Sequence, residues 1–365
     1  MKVLFYLLDG DTNASSWHRA LQYFPLLRAH GIEPFASRPV PRWVYERLVE
    51  RGERGLASKL GFYGLFLACR LRDVARAAAY DVVIVQRDLF PFGPPLLERG
   101  LRRRARRLVY DTDDATYLRP SFTPRTPMQR LRRFDKVAAL VRSADWVSVA
   151  TPPIATWARQ HNPRVEVVPM AVDLKVYDAA RRQVGADGPI VLGWAGTAGG
   201  LGYLEQLGPV LRELTARHDL RVRVVSGGWR QLRLPGVSIE ARPWRAATAL
   251  TDLASFDIGL VPLDDTPFER AKFPFKLLQF LALGVPAVAA RVGVAAQVMQ
   301  DGQNGLLAGS ADEWREQLER LIVDLSLRRR LAAAGRETVA EHYTLERVGS
   351  LLVDGLWRVA GRGAD

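Results

Sequence analysis

Between Asp257 and Gly309 the chain reads DIGLVPLDDTPFERAKFPFKLLQFLALGVPAVAARVGVAAQVMQDGQNGLLAG. A strand (Asp257–Leu263), a polar loop, a short helix, a Gly-Val-Pro turn and a second strand (Ala287–Ala290) leave few folds open, because strands joined through a helix belong to an α/β layer structure. Pro274 suits the first helical position, where its missing N–H costs nothing, and Gly284 with Pro286 stops the helix. Between them Phe275, Leu277, Leu278, Phe280, Leu281 and Leu283 are apolar almost all the way round, which marks a buried helix. Lys276 and Gln279 alone break the pattern, three apart on one edge, and Arg270 and Lys272 precede them in the loop. A buried helix with one cationic edge, entered through a basic loop, is built to hold an anion. The alternative is a solvated edge, the usual fate of charge. The narrowness of the polar stripe favours the ligand reading.

The same grammar runs through the rest of the chain. Lys2–Leu8 and Asp81–Gln86 are continuous apolar runs, as expected of parallel strands buried on both faces. Leu108–Tyr110, Trp146–Ala150 and Val165–Pro169 are further strands, with helical spacing over Trp17–His30 and helical character over Arg42–Ala79. Met170–Asp178 reads as a linker, after which the pattern restarts. Strands at Pro189–Ala195, Arg221–Ser226 and Val237–Ala241 alternate with helices over Leu201–Leu214 and Ala246–Ala254. Glu313–Ala360 is helical with a break at His342–Thr344. This predicts two doubly wound α/β domains of similar size joined near residue 175. Ligands of such sheets bind beyond the carboxyl ends of the strands, and a cleft between two domains is the default site.

At 365 residues the chain is long enough for two cores. Its formal charge of +13, carried mostly by arginine, fits a phosphate-bearing partner or an anionic membrane surface. One cysteine, Cys69, excludes an intramolecular disulfide and suits a reducing compartment. The N-terminus has an acidic residue where a signal peptide needs a small-residue cleavage site, and Leu60–Cys69 is too short to span a bilayer. The expected location is the cytoplasm, with peripheral attachment to the inner face of the membrane through the basic surface of Arg99–Arg107, Arg125, Arg130, Arg132 and Arg133. A solvated helix face accounts equally well for that surface. The aromatic interleaving that stacks bases is absent, so nucleic acid is not expected.

Three constellations remain for chemistry. The loop Gly196-Thr197-Ala198-Gly199-Gly200 lies between a strand and a helix, where backbone N–H groups cradle phosphates, though it matches neither a dinucleotide fingerprint nor a P-loop. Asp111, Asp113 and Asp114 crowd one strand end. Such carboxylates repel unless something positive compensates, and a D-x-D pattern holds a divalent cation or caps a helix. The five histidines show no zinc spacing; His18, with Ser15, Ser16 and Arg19, sits in the first loop-to-helix region.

Taken in order, these pieces resemble glycosyltransferase family 4, retaining enzymes of GT-B fold that take sugar from a nucleotide-sugar. The resemblance is carried in the second half by GWAGT, RVRVVSGG, the strand end at Pro243-Trp244, DIGLVPL, RAKFPFKLLQFLALGVPAVA and DGQNGLL. In the first half it rests on SSWHRALQYFPLLRAHGIE, DVVIVQRD with FGPPLLE, VYDTDDA and ADWVSVATPPIATWARQHNPRVEVVPMAVDL. It implies two Rossmann-like domains facing each other across a cleft: residues 1–174 for the acceptor, with 345–365 packing back on them, and 175–344 for the donor.

The family's two glutamates, eight apart, fall on Ala271 and Gln279. Gln279 can still bond a ribose hydroxyl, whereas Ala271 offers the sugar no polar atom. The implied donor site is Gly196, Thr197, Gly228, Trp244, Arg270, Lys272, Lys276, Leu277 and Gln279. Gly10, Ser16, His18, Arg19 and Arg87 would meet the acceptor: a sugar, a lipid-linked molecule or a small metabolite. The family's His-Asp falls on Asp113-Asp114, the expected catalytic pair, with Asp113 facing the transferred sugar. No metal or other cofactor is expected, because the basic side chains already neutralise the diphosphate. Two rival functions share these features: a nucleotide-sugar epimerase of the same fold, and a non-catalytic protein that binds nucleotide-sugars or anionic surfaces.

Overall fold

The computed structural model describes residues 1–7, 13–45, 56–120, 133–181 and 188–361. The chain divides into two units, one built on Met1–Arg119, Pro124–Met170 and Leu345–Asp365, the other on Ala171–Thr344.

In the first unit the strands are β1 (Lys2–Tyr6), β2 (Glu33–Ser37), β3 (Val82–Gln86), β4 (Leu108–Thr112), β5 (Trp146–Val149) and β6 (Val165–Val167). They form one parallel sheet in the order β2-β1-β3-β4-β5-β6. Its central strands β3, β4 and β5 are buried along their whole length, which their near-continuous apolar sequences require. The helical run expected over Trp17–His30 is broken into α1 (Ala14–Arg19), a 3-10 turn at Leu21–Tyr23 and a second helix, Phe24–Ala29. Pro25 lacks the N–H that would continue the helix, so the chain restarts there. Further on lie α2 (Leu56–Arg76) and α3 (Leu96–Arg104). The C-terminal helix Leu345–Val359 packs on this unit; Gly355 lies so close to the Trp146 indole that a Cβ there would overlap the ring.

The second unit holds β7 (Ile190–Ala195), β8 (Leu220–Val225), β9 (Ile239–Arg242), β10 (Ile258–Val261), β11 (Ala287–Ala290) and β12 (Leu306–Ala308). The sheet is parallel in the order β12-β11-β10-β7-β8-β9. Its order reverses between β7 and β10, so the topological switch point lies at their carboxyl ends. Its helices include α4 (Leu174–Asp178), α5 (Pro267–Ala271), α6 (Phe275–Leu283) and α7 (Leu325–His342). The expected helix Leu201–Leu214 is two, Leu201–Gln206 and Gly208–Arg217, because Pro209 also lacks the N–H that would continue the first.

Helix α6 is buried from Leu277 to Leu283. Two glycines admit it: a Cβ on Gly259 of β10 would strike the Phe280 ring, and one on Gly335 of α7 would strike Leu281. Gly284 ends the helix at φ 69, a left-handed conformation that costs glycine nothing. The Val285 N–H returns to the Phe280 carbonyl at 2.9 Å and that of Gly284 to Leu281 at 3.0 Å, so the last carbonyls are satisfied. Pro274 is the N-cap residue rather than the first helical one, and no side chain caps that end. Among the described residues no helix is long and apolar enough to cross a membrane.

Candidate functional site

The switch point of the second unit is lined by the loops after β7 and β10. Gly196, Thr197 and the 3-10 turn Ala198–Gly200 follow β7, and Thr197 is exposed. Gly228 follows β8 and backs onto Ala198 so tightly that a Cβ would overlap it; the two glycine loops therefore touch. Trp244, 40% exposed, stands just beyond β9. The helix after the Gly196 loop is stapled to the loop after β10. The Tyr203 hydroxyl donates to Glu269 at 2.5 Å, and the Gln206 amide donates to Asp264 at 2.7 Å. Glu269 is fully buried and also accepts from the Thr266 hydroxyl. Sequence reasoning gave this residue no role; a glutamate inside a basic loop was the available signal.

Two of the chain's six lysines meet at the start of α6. Lys276 is half-buried and donates to Gln279 Oε1 at 2.8 Å. Burial, and then the charge of Lys272, push its pKa down to about 8. Among the described residues no carboxylate pairs with either ammonium. Gln279, 6% exposed, is held at its other end by the Tyr177 hydroxyl at 2.8 Å. Both ends of the amide are therefore engaged within the protein, a different setting from a free hydrogen-bonding group facing a ribose. Leu277 is completely buried, so only its backbone is left to meet a ligand.

Arg270 departs most from expectation in this unit. Its side chain is exposed and its guanidinium grips Asp265, with one bond of 2.8 Å, so its charge is already matched at the surface. Beneath it the loop after β11 approaches so closely that a Cβ on Gly293 would overlap the Arg270 carbonyl and Cα, and Gly293 adopts φ 49. Gly293→Ala is expected to destabilise this unit by about 3 kcal/mol, because neither backbone can yield, lowering its melting point by roughly 6–12 °C. A shift under one degree in a thermal melt would contradict that packing.

In the first unit the switch point lies between β1 and β3. Residue Gly10, after β1, lies outside the described residues. Arg87, just past β3, has φ 62, the one positive value among described non-glycine residues. Its guanidinium bonds Asp113 at 2.7 Å, Asp114 at 2.6 Å and the Ser15 hydroxyl at 2.9 Å, while Ser15 donates to Asp113 at 2.7 Å. Burial opposes charge on Asp113, but Arg87, then Ser15 and the charge of Arg19, outweigh it and hold the carboxyl at about 2. A carboxylate so acidic is a poor proton acceptor at neutral pH.

Asp111 belongs to β4 and not to the loop beyond it. Its carboxylate takes both arms of Arg19, one at 3.0 Å. Arg19, expected to face an acceptor, is a buried strut that also donates to Ser148 at 3.1 Å and to the carbonyls of Val168 and Pro169. Ser16 is likewise fully buried. His18 is half-buried, with its ring 3.4 Å from the Gln22 amide. The compensation that three neighbouring carboxylates need comes from two arginines, and among the described residues no group of three metal-ligating side chains comes together.

The wider basic surface is partly spent as well. Arg102 pairs with Asp145 at 3.0 Å, Arg133 with Asp135 at 2.5 Å, and Arg107 donates to the Val359 carbonyl at 2.9 Å. Arg125, Arg130 and Arg132 lie outside the described residues.

The two sheets have the GT-B fold. A glycosyltransferase from Rickettsia africae superposes with a TM-score of 0.67 at 12% identity, over 98% of both chains. Anabaena Alr3699/HepE in complex with UDP gives 0.63 at 16%, over 98% of this chain and 100% of that one; the same protein is also solved with UDP-glucose. In sequence, the D-inositol 3-phosphate glycosyltransferase of Stackebrandtia nassauensis is 32% identical over 199 residues. That stretch is 48% of this chain and 45% of the relative, so the chain spans about half the length of that curated protein. Residues 208–354, which include the Lys272–Gln279 site, match the family model described as glycosyl transferase-like.

Proposed function

We propose that this chain is a glycosyltransferase that moves a sugar from a nucleoside diphosphate-sugar to an acceptor hydroxyl with retention of configuration. The observation that carries the reading is the pair Lys272 and Lys276. Two ammonium groups, the charge of Lys272 lowering the pKa of Lys276, partly removed from water and, among the described residues, matched by no carboxylate, are set to receive negative charge. They stand beside the switch point of a Rossmann-like sheet, within the stretch that resembles glycosyltransferases. A nucleoside diphosphate is the leaving group such a site suits. As the glycosidic bond breaks, charge grows on the diphosphate, and ammonium groups already in place stabilise that state more than the ground state.

Asp113, ionised and locked by Arg87 and Ser15, is a fixed negative charge or hydrogen-bond acceptor at the switch point of the first unit. Its low pKa argues against proton abstraction as its task. Thr197 and the close contact of Gly228 with Ala198 provide the backbone surface for the phosphates, and Trp244 an exposed aromatic face for the donor.

A thermal-shift panel of nucleoside diphosphates and nucleotide-sugars tests the reading. At least one member is expected to raise the melting point by several degrees, since a ligand at ~100 Kd adds about 2.7 kcal/mol to the native state. A panel without any response would sink it. Consumption of that donor only when an acceptor is supplied would then exclude an epimerase, which needs none.

A further inference from the structure

Gln279 is separated from Tyr177 by 102 residues and lies on another helix, yet the two are bonded at 2.8 Å, both nearly sealed from water. The direction of this chain of hydrogen bonds is determined by chemistry. An ammonium only donates, so Lys276 must face the amide oxygen; the amide nitrogen then donates to the Tyr177 oxygen. Burial pushes the Tyr177 hydroxyl far above its ordinary pKa, so it stays a neutral phenol able to accept that bond.

The support behind Tyr177 is rigid. Asp178, next on α4, pairs with Arg336 of α7, and Arg336 also donates to the Ala282 carbonyl of α6 at 3.3 Å. Helices α4, α6 and α7 are thereby tied together at the far end of α6. These two charges satisfy one another, leaving Lys272 as the charged group that acts on Lys276.

A carboxylate at position 279 would also hold Lys276, but as an ion pair, cancelling the charge it holds. An amide fixes the ammonium and leaves its charge intact. We infer that Tyr177 and Gln279 are positioning residues that orient the Lys276 ammonium for the diphosphate of a nucleoside diphosphate while leaving its charge uncancelled. This inference rests on the donor-site reading above. It makes the site selective for the number of phosphates: two uncancelled ammoniums reward a diphosphate over a monophosphate.

The test is calorimetric binding of inorganic pyrophosphate and of UDP to the full chain, as wild type, Tyr177→Phe and Gln279→Glu, between pH 6 and pH 10. Wild-type affinity is expected to fall as the pH rises through about 8, where Lys276 loses its proton. In Gln279→Glu the new ion pair should lower affinity at pH 7 by ~10-fold and move the midpoint up by about one pH unit. Tyr177→Phe retains the ring and removes the acceptor, and should cost ~5-fold, on the scale of one hydrogen bond. A packing role alone would leave the pH midpoint of Gln279→Glu where the wild type has it. Identical midpoints, or unchanged affinity in Tyr177→Phe, overturn the inference while leaving the donor site standing. Should Gln279→Glu not fold, Tyr177→Phe decides alone. Failure of the wild type to bind either probe overturns both the site and this inference.

Discussion

Lys276→Ala is expected to lower kcat/KM for the nucleotide-sugar by about 100-fold, close to 2.7 kcal/mol of transition-state stabilisation. The magnitude follows from where the ammonium sits. An exposed lysine is screened by water and contributes little. Lys276 is half-buried, with its pKa pushed down to about 8 by that burial and by Lys272, so its field acts through a medium of lower polarity. A diphosphate that gathers charge as its bond to the sugar breaks is stabilised most by such a group. Arg270→Ala supplies the contrast: its guanidinium is exposed and matched by Asp265, so its loss should change kcat/KM by less than about threefold. The pH profile has a sign. Raising the pH through about 8 removes the Lys276 charge in the empty site, so kcat/KM should fall on the alkaline side in the wild type and lose that limb in Lys276→Ala. Near-normal turnover in Lys276→Ala, or a larger defect in Arg270→Ala, would place the phosphates elsewhere.

The contrast between these two cations also marks how far the sequence was legible. Central strands announced themselves: β1, β3, β7 and β10 are near-continuous apolar runs because both of their faces are covered. The edge strands β2 and β12 did not. EPFAS carries a proline that an edge tolerates, and LLA is only three residues long. Helix α6 was legible for a related reason, since an apolar surface all round has one explanation. The pairing of its polar edge was not, because Tyr177 reaches Gln279 only through tertiary structure. Arg19 was misjudged on general grounds. Arginine usually seeks water, and nothing local distinguishes one that turns inward to Asp111, 92 residues away. Three close aspartates correctly signalled a need for compensation, but a divalent ion, a proton and two distant arginines leave the same trace in sequence.

Arg19→Met is accordingly expected to act on stability, at about 3–5 kcal/mol in urea unfolding of the first unit. Methionine fills much of the space but leaves Asp111 charged, buried and unpaired, and strips the donors from Ser148 and from the carbonyls of Val168 and Pro169. Taking Asp111 away as well, in Arg19→Met/Asp111→Leu, should restore most of the loss, because replacing both partners of a buried ion pair by apolar groups is often close to neutral. Acid gives a separate reading at the neighbouring carboxylate. Asp113, held at about 2 against an ordinary 3.8, favours the native state at neutral pH by roughly 2 kcal/mol, a contribution lost as pH falls from about 5 through 2. A double variant no better than the single would mean that Arg19 is held by its carbonyl partners and not by Asp111.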